Sequence, residues 1–241
     1  MRTLVIGDIH GGLIALKQVL ERAQVTAEDR LIFLGDYVDG WSDSAATVSF
    51  LIKLQSTHEC VFIRGNHDQL VQDYLEKNIK SPKWLEHGGA LTVENYAKLS
   101  AEEIAQHLNF YQRLTSFHVD DKNRLFCHAG FTNLHGPSYE YFPRMLWWDR
   151  TLWETALALN PALTPEDERY PERFKLFDEI YIGHTPLYRI GATVPCQAAN
   201  VWNMDTSAAY KGALSIMDVD SKQVWQSDPV YTLYPTENGR N

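Results

Sequence analysis

Three short apolar runs, separated by two segments with helical periodicity, constrain the fold more than any other feature of this chain. The runs TLVIG (3–7), RLIFLG (30–35) and ECVFIRG (59–65) are rich in apolar and β-branched residues and end in glycine. Each run therefore predicts a buried strand. Residues 13–23 and 44–55 carry apolar side chains at helical spacing between them. This alternation predicts a parallel sheet with helices packed on its faces, which is an α/β fold.

The remainder of the chain is less regular. The sequence predicts a mostly helical region (69–114), a hairpin (117–130), a long excursion with one helix near 151–159 (136–175), a further strand (178–186) and two or three antiparallel strands (197–228). Within the helical region, Ser100 and Glu103 have the spacing of a capping box. The length of 241 residues and the absence of an evident linker favour a single domain over 1–241.

Charge and cysteine content exclude several classes of protein. The net charge of −9 disfavours nucleic acid as a partner. Three widely spaced cysteines without a CxxC pair argue against a disulfide framework and against a structural zinc site. The apolar run near the first residue is too short for a signal peptide, and no apolar run is long enough to span a membrane. We therefore expect a cytoplasmic protein that binds neither nucleic acid nor membrane.

Polar side chains with metal-binding potential follow five of the predicted strands, each beside a glycine. They are Asp8 and His10, Asp36 and Asp39, Asn66 and His67, His128, and His184. Because the carboxyl ends of parallel strands meet along one edge of a sheet, we expect these residues to converge in one crevice. Taken singly, an Asp or His after a strand is ordinarily a turn, capping or structural residue, and this reading also applies to Asp39. The repetition of the pattern is what favours a common site.

The donor types suggest which ions such a site would hold. Carboxylate, imidazole and amide donors without a thiolate suit Mn²⁺, iron, Zn²⁺ or Co²⁺. Six ligands are too many for one tetrahedral ion with an open position, but they suit two ions that share a carboxylate. Asp36 would then be the shared ligand.

Several short motifs together resemble those of a known family. They are GDIHG (7–11), GDYVD (35–39), RGNHD (64–68), HAG (128–130), GHT (183–185) and the later stretch NMDTSAAYKGALS (203–215). In this order they resemble the motif series of the calcineurin-like metallophosphoesterases, with the nearest likeness to the phosphoprotein phosphatase branch and its bacterial and phage-type members. The resemblance implies a mixed β-sandwich flanked by α-helices, with two metal ions at its active site.

The resemblance also implies a role for each matched residue. Asp8 and His10 would hold the first ion, and Asp36 would bridge both. Asn66, His128 and His184 would complete the second site. His67 would protonate the leaving oxygen and be oriented by Asp39, since a carboxylate partner favours the imidazolium form. Arg64, Arg150 and Asn66 would bind the substrate phosphate.

The sequence departs from the family pattern after Asp39. Gly40 and Trp41 stand where the branch usually has arginine and glycine, so one phosphate-binding charge is missing. Lys211 is either a replacement for that charge or an ordinary surface lysine. Six aromatic residues are candidates for a substrate groove, although core packing is expected for at least half of them: Trp41, Tyr139, Tyr141, Phe142, Trp147 and Trp148.

These observations predict a dinuclear-metal-dependent phosphomonoester hydrolase acting through a metal-bridging hydroxide. Mn²⁺ is the first expectation for the two ions, with Fe, Zn, Co or Ni as alternatives. The first expectation for the substrate is a phosphorylated protein or peptide (phosphoserine, phosphothreonine or phosphotyrosine), and small phosphoesters are a further expectation. The alternatives are a dinucleoside tetraphosphate hydrolase, a binding module that has lost activity, and a nuclease.

Overall fold

The computed structural model describes residues 1–240. Within them the strands are β1 (Thr3–Ile6), β2 (Arg30–Phe33), β3 (Glu59–Phe62), β4 (Phe117–Val119), β5 (Arg124–Cys127), β6 (Glu179–Ile182), β7 (Cys196–Ala198), β8 (Val201–Asn203), β9 (Ser215–Asp218) and β10 (Val224–Gln226). The α-helices are α1 (Leu13–Arg22), α2 (Ser44–Leu54), α3 (Asn66–Lys77), α4 (Pro82–Trp84), α5 (Ala90–Tyr96), α6 (Ala101–Gln112), α7 (Met145–Trp148), α8 (Thr151–Ala158), α9 (Glu172–Lys175) and α10 (Val230–Leu233).

Two five-stranded sheets are formed. The first has the order β10-β9-β1-β2-β3, and its last three strands are parallel as the sequence predicts. The second has the order β4-β5-β6-β8-β7, with β5, β6 and β8 parallel to one another. The predicted hairpin is the antiparallel pair β4–β5.

The strands near the end of the described chain differ from the prediction. The sequence predicts two or three antiparallel strands there, whereas the structure has four, divided between the two sheets. β7 and β8 pair with each other and extend the second sheet, while β9 and β10 extend the first. Pattern alone could not assign these short strands, because their sheet is decided by long-range pairing with β1 and β6.

The sheets pack face to face between two layers of helices. Val5 and Ile32 of the first sheet share one buried cluster with Phe126 and Tyr181 of the second, and the last two rings stack with centroids 4.8 Å apart. A second cluster joins the first sheet to α1, α2, α3 and α6, and a third joins the other sheet to α8. This arrangement confirms the mixed β-sandwich flanked by helices.

Two helix starts can be compared with the prediction. At α6 the capping box predicted from Ser100 and Glu103 is present, with Glu103 N donating to Ser100 Oγ over 3.2 Å. The helix expected to begin at 69 instead begins at Asn66, because Asp68 accepts from Gly65 N over 2.8 Å and caps the first turn. Asn66 and His67 are therefore fixed in a helical turn.

None of the described helices is long and apolar enough to cross a membrane.

Candidate metal centre

Seven buried polar side chains meet where five strands end, and we call them the pocket floor. They are Asp8, His10, Asp36, Asn66, His67, His128 and His184. Those from Asp8 to His67 follow β1, β2 and β3, whereas His128 and His184 follow β5 and β6 of the other sheet. The expected convergence is therefore present, but it takes place between two sheets instead of along the edge of one.

Backbone strain accompanies this convergence. His10, Asp36, Asp39 and His184 adopt positive φ angles of 50°, 53°, 69° and 65°. Such conformations cost on the order of 1–3 kcal/mol each for residues with a Cβ, and they cluster at functional sites. The left-handed turns allow side chains that follow a strand to point back into the crevice.

Two of the glycines beside these residues are required by close approach. A Cβ added at Gly65 would overlap the Oδ1 of Asp36, and one added at Gly183 would overlap the Oδ1 of Asp8. The glycine-plus-ligand pattern in the sequence thus reflects backbone that lies directly against a buried carboxylate.

Asp36 belongs to two groups of possible metal ligands. Its Oδ2 lies 3.5 Å from His10 Nε2 and 3.4 Å from His128 Nε2. In one group, ligand atoms of Asp36, His10 and His67 lie within 4.8 Å of one another; in the other, Asp36 is grouped in the same way with His128 and His184. A carboxylate common to two groups is the arrangement expected of a shared ligand.

Asn66 and Asp8 lie beside these groups. The Oδ1 of Asn66 is 2.9 Å from His184 Nδ1 and 3.2 Å from His128 Nε2. Asp8 Oδ2 accepts a hydrogen bond from the backbone N–H of His184 over 3.0 Å and lies 3.9 Å from His10 Nε2. All six predicted metal ligands are thus brought together by the fold.

The electrostatics of the floor favour a bound cation. Burial and the charge of Asp205 raise the pKa of Asp8 well above its usual range. Burial opposes ionisation of Asp36 as well, but the charges of His128 and His67 outweigh it and hold the pKa of Asp36 well below its usual range. A metal ion would relieve the repulsion between the buried carboxylates.

The pKa values of His128 and His184 are shifted in opposite directions by their surroundings. Burial lowers the pKa of His128, but the charges of Asp36 and Asp8 outweigh burial and raise it to about 10. Burial lowers the pKa of His184 well below its usual range, so this imidazole is neutral and able to ligate. Its Nε2 is buried without a hydrogen-bond partner among the described residues. The donor set and this orphaned nitrogen fit a pair of divalent cations.

His67 and Asp39 form a separate buried pair beside the floor carboxylates. His67 Nδ1 lies 2.6 Å from Asp39 Oδ2, and its ring meets that of His10 edge-on at 5.1 Å. Asp39 also accepts from Trp84 Nε1 and from Thr92 Oγ1, each over 2.6 Å. Three donors thus fix Asp39, and the bond at Nδ1 leaves Nε2 of His67 as the ring nitrogen able to act in the pocket.

Above the floor lies a pocket of about 400 Å³, bordered by basic and aromatic side chains that we call the pocket rim. The rim consists of Lys83, Trp148, Arg150, Arg189, Tyr210 and Arg240. Burial and the charge of Arg189 lower the pKa of Arg150, and its Nη1 is buried without a partner among the described residues. A buried N–H of this kind is satisfied when an anion enters the pocket.

Arg64, the other predicted phosphate-binding arginine, is not brought to the pocket. Its Nη1 donates to the side-chain oxygens of Gln69 and Gln72, and its Nη2 donates to Tyr111 O over 2.8 Å. Its guanidinium also lies over the ring of Trp147 at 5.8 Å. Because these groups occupy the guanidinium, the arrangement gives no support to phosphate binding by Arg64.

The other predicted groove residues divide between core and surface. Trp41 is fully buried and stacks on Tyr234, while Trp147 is buried in the second helical layer. Among the six aromatic candidates, only Trp148 borders the pocket. Lys211 is exposed and is not among the residues that line it.

Several residues at the site were not found from the sequence. Asp205 lines the pocket two residues after β8, and the strand-end pattern could have identified it. Burial is the main cause that raises the pKa of Asp205 to about 6. Trp84, Thr92 and Arg240 carry no local signal, since tertiary contacts alone bring them to the site.

Comparison with known proteins relates the chain to phosphoesterases. A family model described as Calcineurin-like phosphoesterase matches residues 1–201. The asymmetrical bis(5'-nucleosyl)-tetraphosphatase PrpE of Geobacillus sp. (strain WCH70) is 25% identical over 231 residues, which cover 89% of each chain. Shewanella-like protein phosphatase 1 of Plasmodium berghei (strain Anka) is 26% identical over 238 residues, covering 79% of this chain and 63% of that protein.

A solved structure, provisionally described as a diadenosine tetraphosphatase, has a TM-score of 0.62 at 18% identity. The match covers 93% of this chain and 92% of that one. At this identity the likeness shows the fold alone.

Proposed function

This chain belongs to the calcineurin-like phosphoesterase family, whose members hydrolyse phosphoesters at a dinuclear metal centre, and we propose that it is a phosphomonoester hydrolase. A phosphorylated protein side chain is the leading substrate. The observation that carries this proposal is the His67–Asp39 pair, held at 2.6 Å, together with two groups of potential metal ligands that share Asp36. His67 itself belongs to one of these groups.

Six of the seven floor residues would hold the ions. Asp8 and His10 serve one ion, Asn66, His128 and His184 serve the other, and Asp36 serves both. Mn²⁺ is the first candidate, with Fe, Zn, Co or Ni as alternatives. When bound, the ions would supply a nucleophile from water at neutral pH and screen the charge on the phosphate oxygens.

His67 is the reason that we favour a phosphomonoester as the substrate. Its Nε2 would donate a proton to the leaving oxygen, while Asp39 stabilises the imidazolium and fixes the ring. A serine, threonine or tyrosine oxygen needs this proton because it is a poor leaving group. A leaving phosphate needs it much less, so a carefully oriented acid suits a phosphomonoester better than a polyphosphate.

Residues around the pocket would bind the phosphate. Arg150 lines the pocket with a buried, unpartnered Nη1 and would donate to a phosphate oxygen. Asn66, which also lines the pocket, would donate its amide N–H groups while its Oδ1 faces the two histidines.

A dinucleoside tetraphosphate is the second candidate substrate. Four basic side chains border the pocket, which is more positive charge than a single phosphate group requires. Such a rim suits a longer anionic chain, and the exposed Trp148 offers a face on which a base can stack. The Geobacillus relative, whose name specifies this activity, aligns over most of both chains.

Parallel assays separate the two candidates. Purified protein, freed of metal and reloaded with Mn²⁺, is given phosphoserine and phosphotyrosine peptides, with released phosphate as the readout. The same protein is given diadenosine tetraphosphate, with chromatography of the products. We expect the higher kcat/KM on a phosphopeptide. A higher value on the tetraphosphate would replace the leading substrate, and no turnover of either substrate or of para-nitrophenyl phosphate would favour a binding module.

A further inference from the structure

Position 40 lies directly beside the floor but offers no side chain. Gly40 has a φ of 128°, and a Cβ built there would lie 3.1 Å from the backbone oxygen of His10. The same Cβ would lie 3.5 Å from Cγ of Arg240. The aliphatic part of Arg240 therefore lies in van der Waals contact with the position that a Cβ at residue 40 would take.

The segment that carries Arg240 is anchored to the loop after β2. Glu237 accepts hydrogen bonds from the backbone N and the Oγ of Ser42, over 2.9 and 2.6 Å. Arg240 N donates to Ala209 O over 2.9 Å. A Cβ added at Gly239 would lie 2.7 Å from the ring of Trp41, so this backbone packs closely on the indole. These contacts fix where the Arg240 side chain enters the pocket.

The guanidinium of Arg240 has the features of a group that receives an anion. It borders the same pocket as Asp36, His67 and Arg150, and its carbon lies 5.7 Å from the ring centre of Tyr210. Its Nε is buried without a hydrogen-bond partner among the described residues. None of the ion pairs formed by the described residues includes Arg240. Leaving a buried charged donor unpaired is unfavourable, and a bound phosphate would satisfy it.

We propose that Arg240 binds the substrate phosphate, supplying from a distant segment the positive charge that Gly40 cannot provide. Together with Arg150 it would hold the non-bridging phosphate oxygens against the floor. This proposal rests on the proposed phosphoester hydrolysis. It does not depend on whether a phosphoprotein or a nucleotide is the substrate, because the group recognised is the phosphate itself.

The test measures binding of inorganic phosphate to Mn²⁺-loaded protein by calorimetry, and its inhibition constant against para-nitrophenyl phosphate. Arg240→Met keeps the stem beside Gly40 and removes the charge. We expect phosphate to bind this variant at least about tenfold more weakly, as loss of a charge-assisted hydrogen bond implies. Arg240→Lys should lose only about threefold, since it retains the charge without the planar fork.

The matched control is Lys211→Met, which removes the same charge from a nearby exposed position and should leave phosphate affinity unchanged. Equal affinities of Arg240→Met and wild type would overturn the proposal, and so would an equal loss in the Lys211 variant. If circular dichroism shows that Arg240→Met does not fold, the Arg240→Lys variant decides the question. Wild-type phosphate affinity in that variant would count against a role for the guanidinium, and weaker phosphate binding would support it. Wild-type protein that binds phosphate but hydrolyses no phosphoester would refute the proposed function and leave the Arg240 comparison valid.

Discussion

The pocket floor and the pocket rim are built in different ways, although they face the same space. The floor is assembled from residues within a few positions of strand ends, is buried, and has its donors directed at one another. The rim is assembled from helix ends and connecting segments, and two of its guanidinium groups, those of Arg150 and Arg240, keep a buried N–H without a partner among the described residues. This difference fits the proposed function, in which the floor would hold resident cations and the rim would bind the anionic substrate.

The largest effect should come from the carboxylate that both ligand groups share. Asp36→Asn removes it, and loss of metal assistance worth several kcal/mol corresponds to a fall of roughly 10³-fold or more in kcat/KM. Metal content, measured by elemental analysis, should fall with activity on para-nitrophenyl phosphate. Asp121→Asn, in an exposed turn, is the control. Full metal content and activity in the Asp36 variant would show that the floor is not a metal centre.

His67→Asn should separate chemistry from metal binding within the floor. We expect metal content to stay at the wild-type level while kcat on a phosphoserine peptide falls by about 10²–10⁴-fold, the usual contribution of a general acid. The loss on para-nitrophenyl phosphate should be smaller, because nitrophenolate leaves without protonation. Equal losses on the two substrates would argue against the acid role.

Arg150→Met tests whether the rim acts on phosphate. Removing a charge-assisted hydrogen bond worth about 1.5–3 kcal/mol predicts a tenfold or greater loss of kcat/KM with metal content unchanged. Arg169→Met, whose exposed side chain pairs with Asp167 over 2.8 Å, is the matched control. A variant with wild-type kinetics would leave the rim without a role in phosphate binding.

Trp84→Phe tests the contact between α4 and Asp39, the carboxylate that pairs with His67. The change removes the 2.6 Å hydrogen bond to Asp39 but keeps an aromatic ring, and loss of one buried donor predicts roughly a tenfold fall in kcat on the phosphoserine peptide. As with His67, activity on para-nitrophenyl phosphate should fall less if Trp84 acts by positioning Asp39. Thr92→Ser, which retains its hydroxyl donor, should behave like wild type.

The smallest effect should separate the two substrate classes. Lys83 and Arg189 are exposed parts of the rim, and each surface charge contributes about 0.2–1 kcal/mol. The double variant Lys83→Met/Arg189→Met should raise KM for diadenosine tetraphosphate several-fold and leave that for a phosphoserine peptide nearly unchanged. Lys98→Met/Arg113→Met removes the same number of charges elsewhere. Parallel changes in both KM values would show that the rim does not distinguish the substrates.

Local patterns in the sequence were sufficient for the first three strands and for the residues of the floor. A buried strand that ends in glycine can turn sharply, so the next polar side chain lies at the strand's carboxyl end wherever the strand sits. The prediction did not specify that two sheets supply these ends. It also treated Arg64 as a phosphate ligand from its position in a motif, whereas Gln69, Gln72 and Tyr111 determine where that guanidinium points.

What the sequence by itself determined was the alternation of strands and helices over the first 65 residues and the identity of the donors that line the crevice, because both follow from spacing over a few residues; the sandwich was an expectation from the family resemblance. Only the tertiary structure decided which groups complete the site. Trp84 reaches Asp39 across 45 positions, and Arg240 lies against Gly40 from a segment that shares no pattern with it. Such contacts depend on how separate layers pack, and packing is a property of the whole chain that no short stretch encodes.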